Sequence, residues 1–255
     1  MKKTFSLFLA LLTVGCAAKN VESQVPDRAA LAESHYKMGV AYLNTSTDYK
    51  AYQELESALQ LAQDNDKYLY TMGLFFMKKE RYAEAEPFIK KALEKKPNDS
   101  EYMNAYAAIM AGTGRLNEAV DYWDRVIADP GYPYQIMALY NAANALYDAG
   151  RYSRVPSYLD RALNINRRYA DAYRLLFNTY IKLGDKAKAE KTMLKTAEMI
   201  SDDPENHLTA AEFYFDSREY SKAVPFLEHL LEVFPDTPQS KRAGELMKRL
   251  GLMNE

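Results

Sequence analysis

The chain has 255 residues, of which 48% are hydrophobic and 27% are charged. This balance is typical of a globular chain that buries a core, and it argues against a disordered one. The formal net charge is −2, so no general electrostatic attraction to nucleic acid is expected. A single cysteine excludes an internal disulfide and a cysteine-based metal cluster.

The first fifteen residues have the pattern of a secretory signal. Two lysines precede an apolar run from Phe5 to Val14, which is too short to span a bilayer because a helical span takes about 20 residues. The run leads into Gly15 and Cys16. This sequence resembles the bacterial lipobox, in which a small residue precedes a lipidated cysteine, although Thr13 stands where that motif prefers leucine. Cleavage at another position would leave Cys16 without a role.

The lipobox resemblance implies a lipid-anchored protein. Residues 1–15 would be removed as a lipoprotein signal peptide, and Cys16 would carry the acyl chains, including palmitate. Several acyl chains anchor a protein far more firmly than one. By analogy with lipoprotein sorting, Ala17 favours the outer membrane, and the rest of the chain would face the periplasm. Residues 16–31 are predicted to form the lipidated N-terminus and a flexible tether.

A period of 34 residues organises the rest of the chain. Three columns of mostly small residues recur at about this spacing. The interval between the third and fourth members is 36 in each column, and the last two intervals of the third column are 35 and 33. Phe177 and Val155 are larger than the residues that share their columns. The columns are Gly39, Gly73, Ala107, Ala143, Phe177 and Ala211; Ala51, Ala85, Ala119, Val155, Ala189 and Ala223; and Ala58, Ala92, Val126, Ala162, Ala197 and Leu230.

These columns resemble the tetratricopeptide repeat, a pair of antiparallel helices that pack closely at small residues. The resemblance implies an all-α fold: a tetratricopeptide-repeat superhelix of six helix pairs in residues 32–237, with a capping helix and tail in residues 238–255. Repeats of this kind bury their apolar faces by stacking on one another. The predicted repeats start near Ala32, Asp66, Ser100, Ile136, Ala170 and Pro204.

The sequence contains none of the motifs that mark common catalytic or phosphate-binding sites, including HExxH, GxSxG and GxxxxGK[ST]. We therefore expect no enzyme activity, no catalytic residue, no metal site, no cofactor and no small-molecule substrate. A superhelix of this family presents the first helix of each repeat on its concave face, and that face is the predicted binding surface.

Tyrosine and asparagine dominate the predicted groove. Tyrosine offers a large contact area with a polar tip, and an asparagine amide can both donate and accept a hydrogen bond to a peptide backbone. Asn144 and Asn178 together could hold an extended peptide. An ordinary groove lining with no fixed ligand is the alternative. The predicted peptide-binding or protein-binding residues are Tyr36, Tyr70, Asn104, Tyr140, Asn144, Tyr147, Arg174 and Asn178.

The longer interval between repeats 3 and 4 lies in Ala128-Asp129-Pro130-Gly131-Tyr132-Pro133-Tyr134. This proline-tyrosine-proline turn leads into Ala138-Leu139-Tyr140-Asn141-Ala142-Ala143. This segment resembles the type IV pilus assembly lipoproteins of the PilF, PilW and Tgl group. The resemblance implies an outer-membrane pilotin that binds secretin subunits and promotes their localisation and assembly. The alternative is a periplasm-facing repeat scaffold for another envelope machine, such as barrel assembly or the organisation of cell-wall enzymes.

Overall fold

The computed structural model describes residues 27–253, which form thirteen α-helices and contain no β-strand. Consecutive helices form six antiparallel pairs, and α13 packs on the sixth pair. The helices are α1 (Arg28–Asn44), α2 (Asp48–Leu61), α3 (Asp66–Met77), α4 (Tyr82–Lys95), α5 (Ser100–Gly112), α6 (Leu116–Ile127), α7 (Gln135–Asp148), α8 (Val155–Ile165), α9 (Ala170–Lys182), α10 (Lys186–Met199), α11 (Pro204–Asp216), α12 (Tyr220–Val233) and α13 (Pro238–Arg249).

Side-chain caps start most of the first helices. Asn65 and Asp99 accept hydrogen bonds from the first free backbone N–H groups of α3 and α5, and Asp203 does the same for α11. Asp27 caps α1, which begins at Arg28 rather than at the predicted Ala32. Residues 28–31 therefore belong to the first repeat and not to the tether. Cys16 and the signal segment lie outside the described residues.

The small-residue columns lie where the two helices of each repeat cross. Every residue of the second and third columns is buried. In the first column, a Cβ atom added to Gly39 would lie 2.8 Å from Cδ2 of Leu55, and one added to Gly73 would overlap the side chain of Ile89. The helix axes are thus close enough to exclude larger side chains at these crossings.

A further column lies in the turns between the paired helices. Ser46, Glu80 and Arg218 have positive φ values of 55°, 57° and 60°. Gly114, Gly150 and Gly184 occupy the same turn in repeats 3, 4 and 5. All six repeats therefore use one left-handed residue to reverse the chain, although only half of them use the residue type that adopts this conformation without strain.

The segment of chain between repeats 3 and 4 folds against repeat 3. The Asp129 carboxylate accepts hydrogen bonds from the Ser100 hydroxyl at 2.5 Å and from the Gly131 backbone N–H at 2.9 Å. Tyr132 is buried in the core, whereas Tyr134 is 53% exposed. The proline-tyrosine-proline turn thus contributes a core side chain and fixes the start of α7.

Candidate functional site

The first helices of the repeats form the inner surface of the superhelix. α1 contacts α3, α3 contacts α5, α5 contacts α7 and α7 contacts α9. Among the described residues, no two second helices of neighbouring repeats make such a contact. Since the first helices lie closer together than the second helices, they line the concave side, as the repeat resemblance implied.

Two of the predicted groove tyrosines join neighbouring repeats. The ring of Tyr36 stacks on Tyr68 with centroids 4.8 Å apart, and Tyr70 stacks on Tyr102 at 4.7 Å. The Tyr70 hydroxyl donates a hydrogen bond to the Glu101 carboxylate at 3.1 Å. Burial, followed by the charge of Glu101, raises the pKa of Tyr70 above its ordinary value of 10.0. These side chains stabilise the stack of repeats, and the Tyr70 hydroxyl is already occupied.

The side-chain amide of Asn104 also makes its contacts within the protein. Its side-chain oxygen accepts a hydrogen bond from Nε1 of Trp123 at 2.9 Å, and its side-chain nitrogen lies 3.5 Å from the Tyr132 hydroxyl. Trp123 is the only tryptophan of the chain and is 1% exposed. Asn104 therefore satisfies a buried indole and links it to the turn before repeat 4.

A first cavity of about 550 Å³ opens on the concave side between repeats 3 and 4. The predicted residues Tyr140 and Asn144 line it, together with Trp123, which the sequence analysis missed. The Asn144 amide donates to the carboxylate of Asp148 at 3.0 Å. Tyr147 lies outside this cavity, with its ring against Tyr152.

A second concave cavity, of about 510 Å³, lies between α9 and α11. Asn178 and Ile181 line one side, and Glu212 and Phe213 line the other. Arg174 is outside this cavity and pairs with Asp171 at 3.0 Å. The structure therefore places Asn144 and Asn178 in two different cavities rather than in one continuous site.

The second cavity lies at a discontinuity of the array. Phe177 occupies a position that is small in the other repeats, and its ring meets Phe213 edge to face at a centroid distance of 5.8 Å. α9 and α11 make no direct backbone contact, unlike the preceding pairs of first helices. The buried core also divides here: one cluster runs from repeat 1 to repeat 5, and a second contains Met193 and repeat 6. A third, small cluster of Ala32, Ala58 and Tyr68 lies at the other end of the array. The backbones of repeats 5 and 6 therefore meet through α10 and α11 and not through their first helices.

The described helices include none that is long and apolar enough to cross a membrane. Within the same residues, no group of three or more His, Cys, Asp or Glu side chains could hold a metal ion. Protein scaffolds of helical repeats are generally not enzymes, and the concave surface offers aromatic rings, amides and scattered charges for contact with another chain.

The paired helices, the buried small-residue columns and the concave face define a tetratricopeptide-repeat superhelix. The tetratricopeptide-repeat family model matches residues 50–109. The structure of PilW, described as a widely conserved type IV pilus biogenesis factor, superposes with a TM-score of 0.66 at 20% identity, over 83% of this chain and 97% of PilW.

Two other solved structures share the fold. PilF of Pseudomonas aeruginosa has a TM-score of 0.63 at 15% identity, over 84% of this chain and 97% of PilF. A tetratricopeptide-repeat protein of Parabacteroides merdae has a TM-score of 0.62 at 14% identity and covers 87% of both chains. These likenesses establish the fold that this chain shares with pilus biogenesis factors.

Proposed function

We propose that this chain is an outer-membrane lipoprotein scaffold that acts as a pilotin in type IV pilus biogenesis. In this proposal Cys16 carries the acyl chains, the repeats face the periplasm, and the concave surface binds secretin subunits. The observation that carries the proposal is the six-repeat array with its capping helix, since the likeness to PilW extends over 97% of that protein. The lipobox pattern and the turn before repeat 4 support the same assignment.

The proposed mechanism is confinement near a membrane. A lipid-anchored scaffold that holds a secretin subunit raises its effective concentration at the membrane surface without any new contact between subunits. Binding also protects unpaired strand edges from aggregation before the subunits assemble. No chemical step by the scaffold is required.

The inner surface supplies two places for such a client. Each concave cavity has apolar walls and at least one amide side chain, namely Asn144 in the first and Asn178 in the second. Ile181 is 45% exposed at the edge of the second cavity, although it is apolar. An exposed apolar side chain beside a concave cavity favours contact with a partner.

Deletion of the gene tests the pilotin role. We expect heat-stable secretin multimers to decrease while secretin monomers persist, and wild-type protein to restore the multimers. Normal multimers in the deletion strain would contradict the role. Complementation with Cys16→Ala tests the anchor separately, because that variant should leave the membrane fraction; its retention in outer-membrane fractions would refute lipid anchoring.

Charge substitution tests the concave surface. Ile181→Glu places a charge at the edge of the second cavity and should lower multimer levels without altering the folded protein. Ile165→Glu is the matched control, since Ile165 is 57% exposed at the end of the outer helix α8. If both variants complement the deletion equally well, the second cavity is not the secretin contact.

A further inference from the structure

A third cavity, which the sequence analysis did not anticipate, lies on the outer side of the superhelix. It is a cleft of about 660 Å³ between the second helices α8 and α10, and α9 forms its floor. The volume exceeds that of either concave cavity. It is lined by Asp160, Leu163, Asn164, Arg167, Tyr173, Leu176, Tyr180, Lys188, Lys191, Thr192, Lys195 and Met199.

Tyr173 lines this cleft and carries a polar group that the fold does not satisfy. The residue is 1% exposed, and its hydroxyl has no hydrogen-bond partner among residues 27–253. The corresponding positions in repeats 2, 3 and 4 carry Leu69, Met103 and Leu139, whereas repeats 1 and 6 carry His35 and His207. Since a buried hydroxyl without a partner is unfavourable, an acceptor that reached the Tyr173 oxygen through a small movement of the cleft wall would satisfy it.

The cleft carries an excess of positive charge, since four basic side chains line it against the single carboxylate of Asp160. Lys191, Lys195 and Arg167 are exposed and take part in none of the ion pairs of the described residues, whereas Lys188 pairs with Asp185 at 3.0 Å. Nζ of Lys195 lies 5.8 Å from the centroid of the Tyr173 ring. Lys191 and Lys195 are four residues apart on α10, so their charges repel each other until an anion binds.

Apolar side chains from all three helices also line the cleft. They are Leu163 on α8, Leu176 on α9 and Met199 on α10. A bare anion would leave this surface uncovered, whereas a carboxylate with apolar neighbours would cover it while meeting the lysines. The cleft therefore combines one buried donor, unpaired cations and apolar side chains.

We propose that this outer cleft binds a peptide segment in which a carboxylate side chain is flanked by apolar side chains. The Tyr173 hydroxyl donates to the carboxylate, Lys191 and Lys195 neutralise its charge, and the apolar neighbours pack on Leu163, Leu176 and Met199. This site is separate from the concave surface and does not depend on the pilotin role.

Calorimetric titration of the full-length protein with acetyl-Leu-Phe-Glu-Phe-Leu-amide tests the proposal. We expect saturable binding that weakens at higher salt and that is lost when glutamine replaces the glutamate of the peptide. Tyr173→Phe should weaken binding about tenfold or more, because a hydrogen bond to a charged group is removed. The melting temperature of free Tyr173→Phe protein should stay the same or rise, since the hydroxyl has no partner to lose.

Lys195→Glu should abolish binding, whereas Lys91→Glu is the matched control. Lys91 occupies the equivalent position in repeat 2, opposite Leu69 rather than a tyrosine. Any of four results would overturn the proposal: no binding to the wild-type protein, equal binding by Tyr173→Phe, a lower melting temperature of free Tyr173→Phe protein, or inorganic phosphate binding as tightly as the peptide.

Discussion

The hydroxyl of Tyr102 donates a hydrogen bond to the carboxylate of Asp66, 2.7 Å away, and so joins the third repeat to the second. Lys96 reaches the same carboxylate at 2.7 Å. The stacked pair of Tyr70 and Tyr102 lies at the same junction. One carboxylate, one ammonium group and two aromatic rings thus hold these repeats together, in addition to the apolar core.

Asp66→Asn should lower the free energy of unfolding by about 1 kcal/mol, because a charge-assisted hydrogen bond and an ion pair are weakened. The hydrogen bonds from Lys96 and then Tyr102 hold the pKa of Asp66 below its ordinary value of 3.8. This contribution is therefore present above pH 3.8 and is lost as the pH falls through the lower pKa of the folded state. Urea unfolding at neutral and acid pH measures both effects.

Asp64→Asn is the control for that experiment. The Asp64 side chain is 84% exposed and lies 3.6 Å from Lys95, so its ion pair contributes little. If Asp66→Asn and Asp64→Asn have the same stability at every pH, the Asp66 junction does not stabilise the array.

Gly73→Ala should destabilise the protein by roughly 1–2 kcal/mol. The new methyl group overlaps the side chain of Ile89, and the free-energy cost of this overlap exceeds the gain in helix propensity. Gly244→Ala is the matched control, since the nearest atom to its new Cβ belongs to Leu231 at 3.9 Å. Gly244→Ala should leave the stability of the protein unchanged or raise it. Thermal unfolding distinguishes them, and equal melting temperatures would contradict the close helix crossing at Gly73.

Glu80→Gly should stabilise the protein by a few tenths to about 1 kcal/mol. Glu80 has a φ of 57°, which strains a residue with a side chain more than it strains glycine. Lys78→Gly, at a position with a φ of −57°, should destabilise instead, because it adds flexibility to the unfolded chain and removes the hydrogen bond from the Lys78 ammonium group to the Leu43 carbonyl at 3.1 Å. Urea midpoints measure the two changes, and a loss of stability in Glu80→Gly would refute the strain.

Asn104→Ala should cost about 1–2 kcal/mol, because it leaves the buried indole N–H of Trp123 without its acceptor. Asn178→Ala should change stability by less than about 0.5 kcal/mol, since Asn178 is exposed. Unfolding followed by the fluorescence of the single tryptophan measures both. Equal stabilities would mean that Asn104 is free to bind a ligand, as the sequence analysis expected.

Two tyrosine hydroxyls should ionise at a higher pH than an ordinary tyrosine. Burial, followed by the hydrogen bond to Glu33, raises the pKa of Tyr68 to about 12. Burial and the hydrogen bond to Glu190 likewise raise the pKa of Tyr214 to about 12. Since the unfolded chain ionises near pH 10, stability should be intact below pH 10 and fall between pH 10 and 12.

Absorbance at 295 nm follows this ionisation. Tyr68→Phe and Tyr214→Phe should each remove a step near pH 12, whereas Tyr49→Phe, at a side chain that is 73% exposed, should leave those steps in place. A titration of the wild-type protein that is complete by pH 11 while it remains folded would contradict the burial of both hydroxyls.

The sequence predicted the helix pairs because the small-residue columns reflect a direct steric requirement. It did not predict the left-handed turn column, since Ser46, Glu80 and Arg218 carry no glycine signal. The structural use of Tyr36 and Tyr70 was also missed. The spacing of 32 residues from each to its stacking partner could have indicated it, but only with knowledge of how neighbouring repeats are rotated.

The site was harder to predict than the fold. The sequence identified side chains on the concave face, yet it could not tell that the interactions of Asn104 and Tyr70 are used within the protein. It identified Phe177 as larger than the other residues of its column, but it did not show that the resulting gap lies between repeats 5 and 6. The outer cleft depends on the distance between α8 and α10, which no local pattern encodes.

The ring of Phe177 has a mechanical consequence. We expect bending of the rod to concentrate at the gap between repeats 5 and 6, because α9 and α11 make no direct backbone contact there and the apolar core is interrupted. The cavity walled by Phe213 and Asn178 lies across the gap, so its width should vary with the bend. The cavity around Trp123 lies within one core cluster and should vary less, so the two pockets should differ in stiffness as well as in lining.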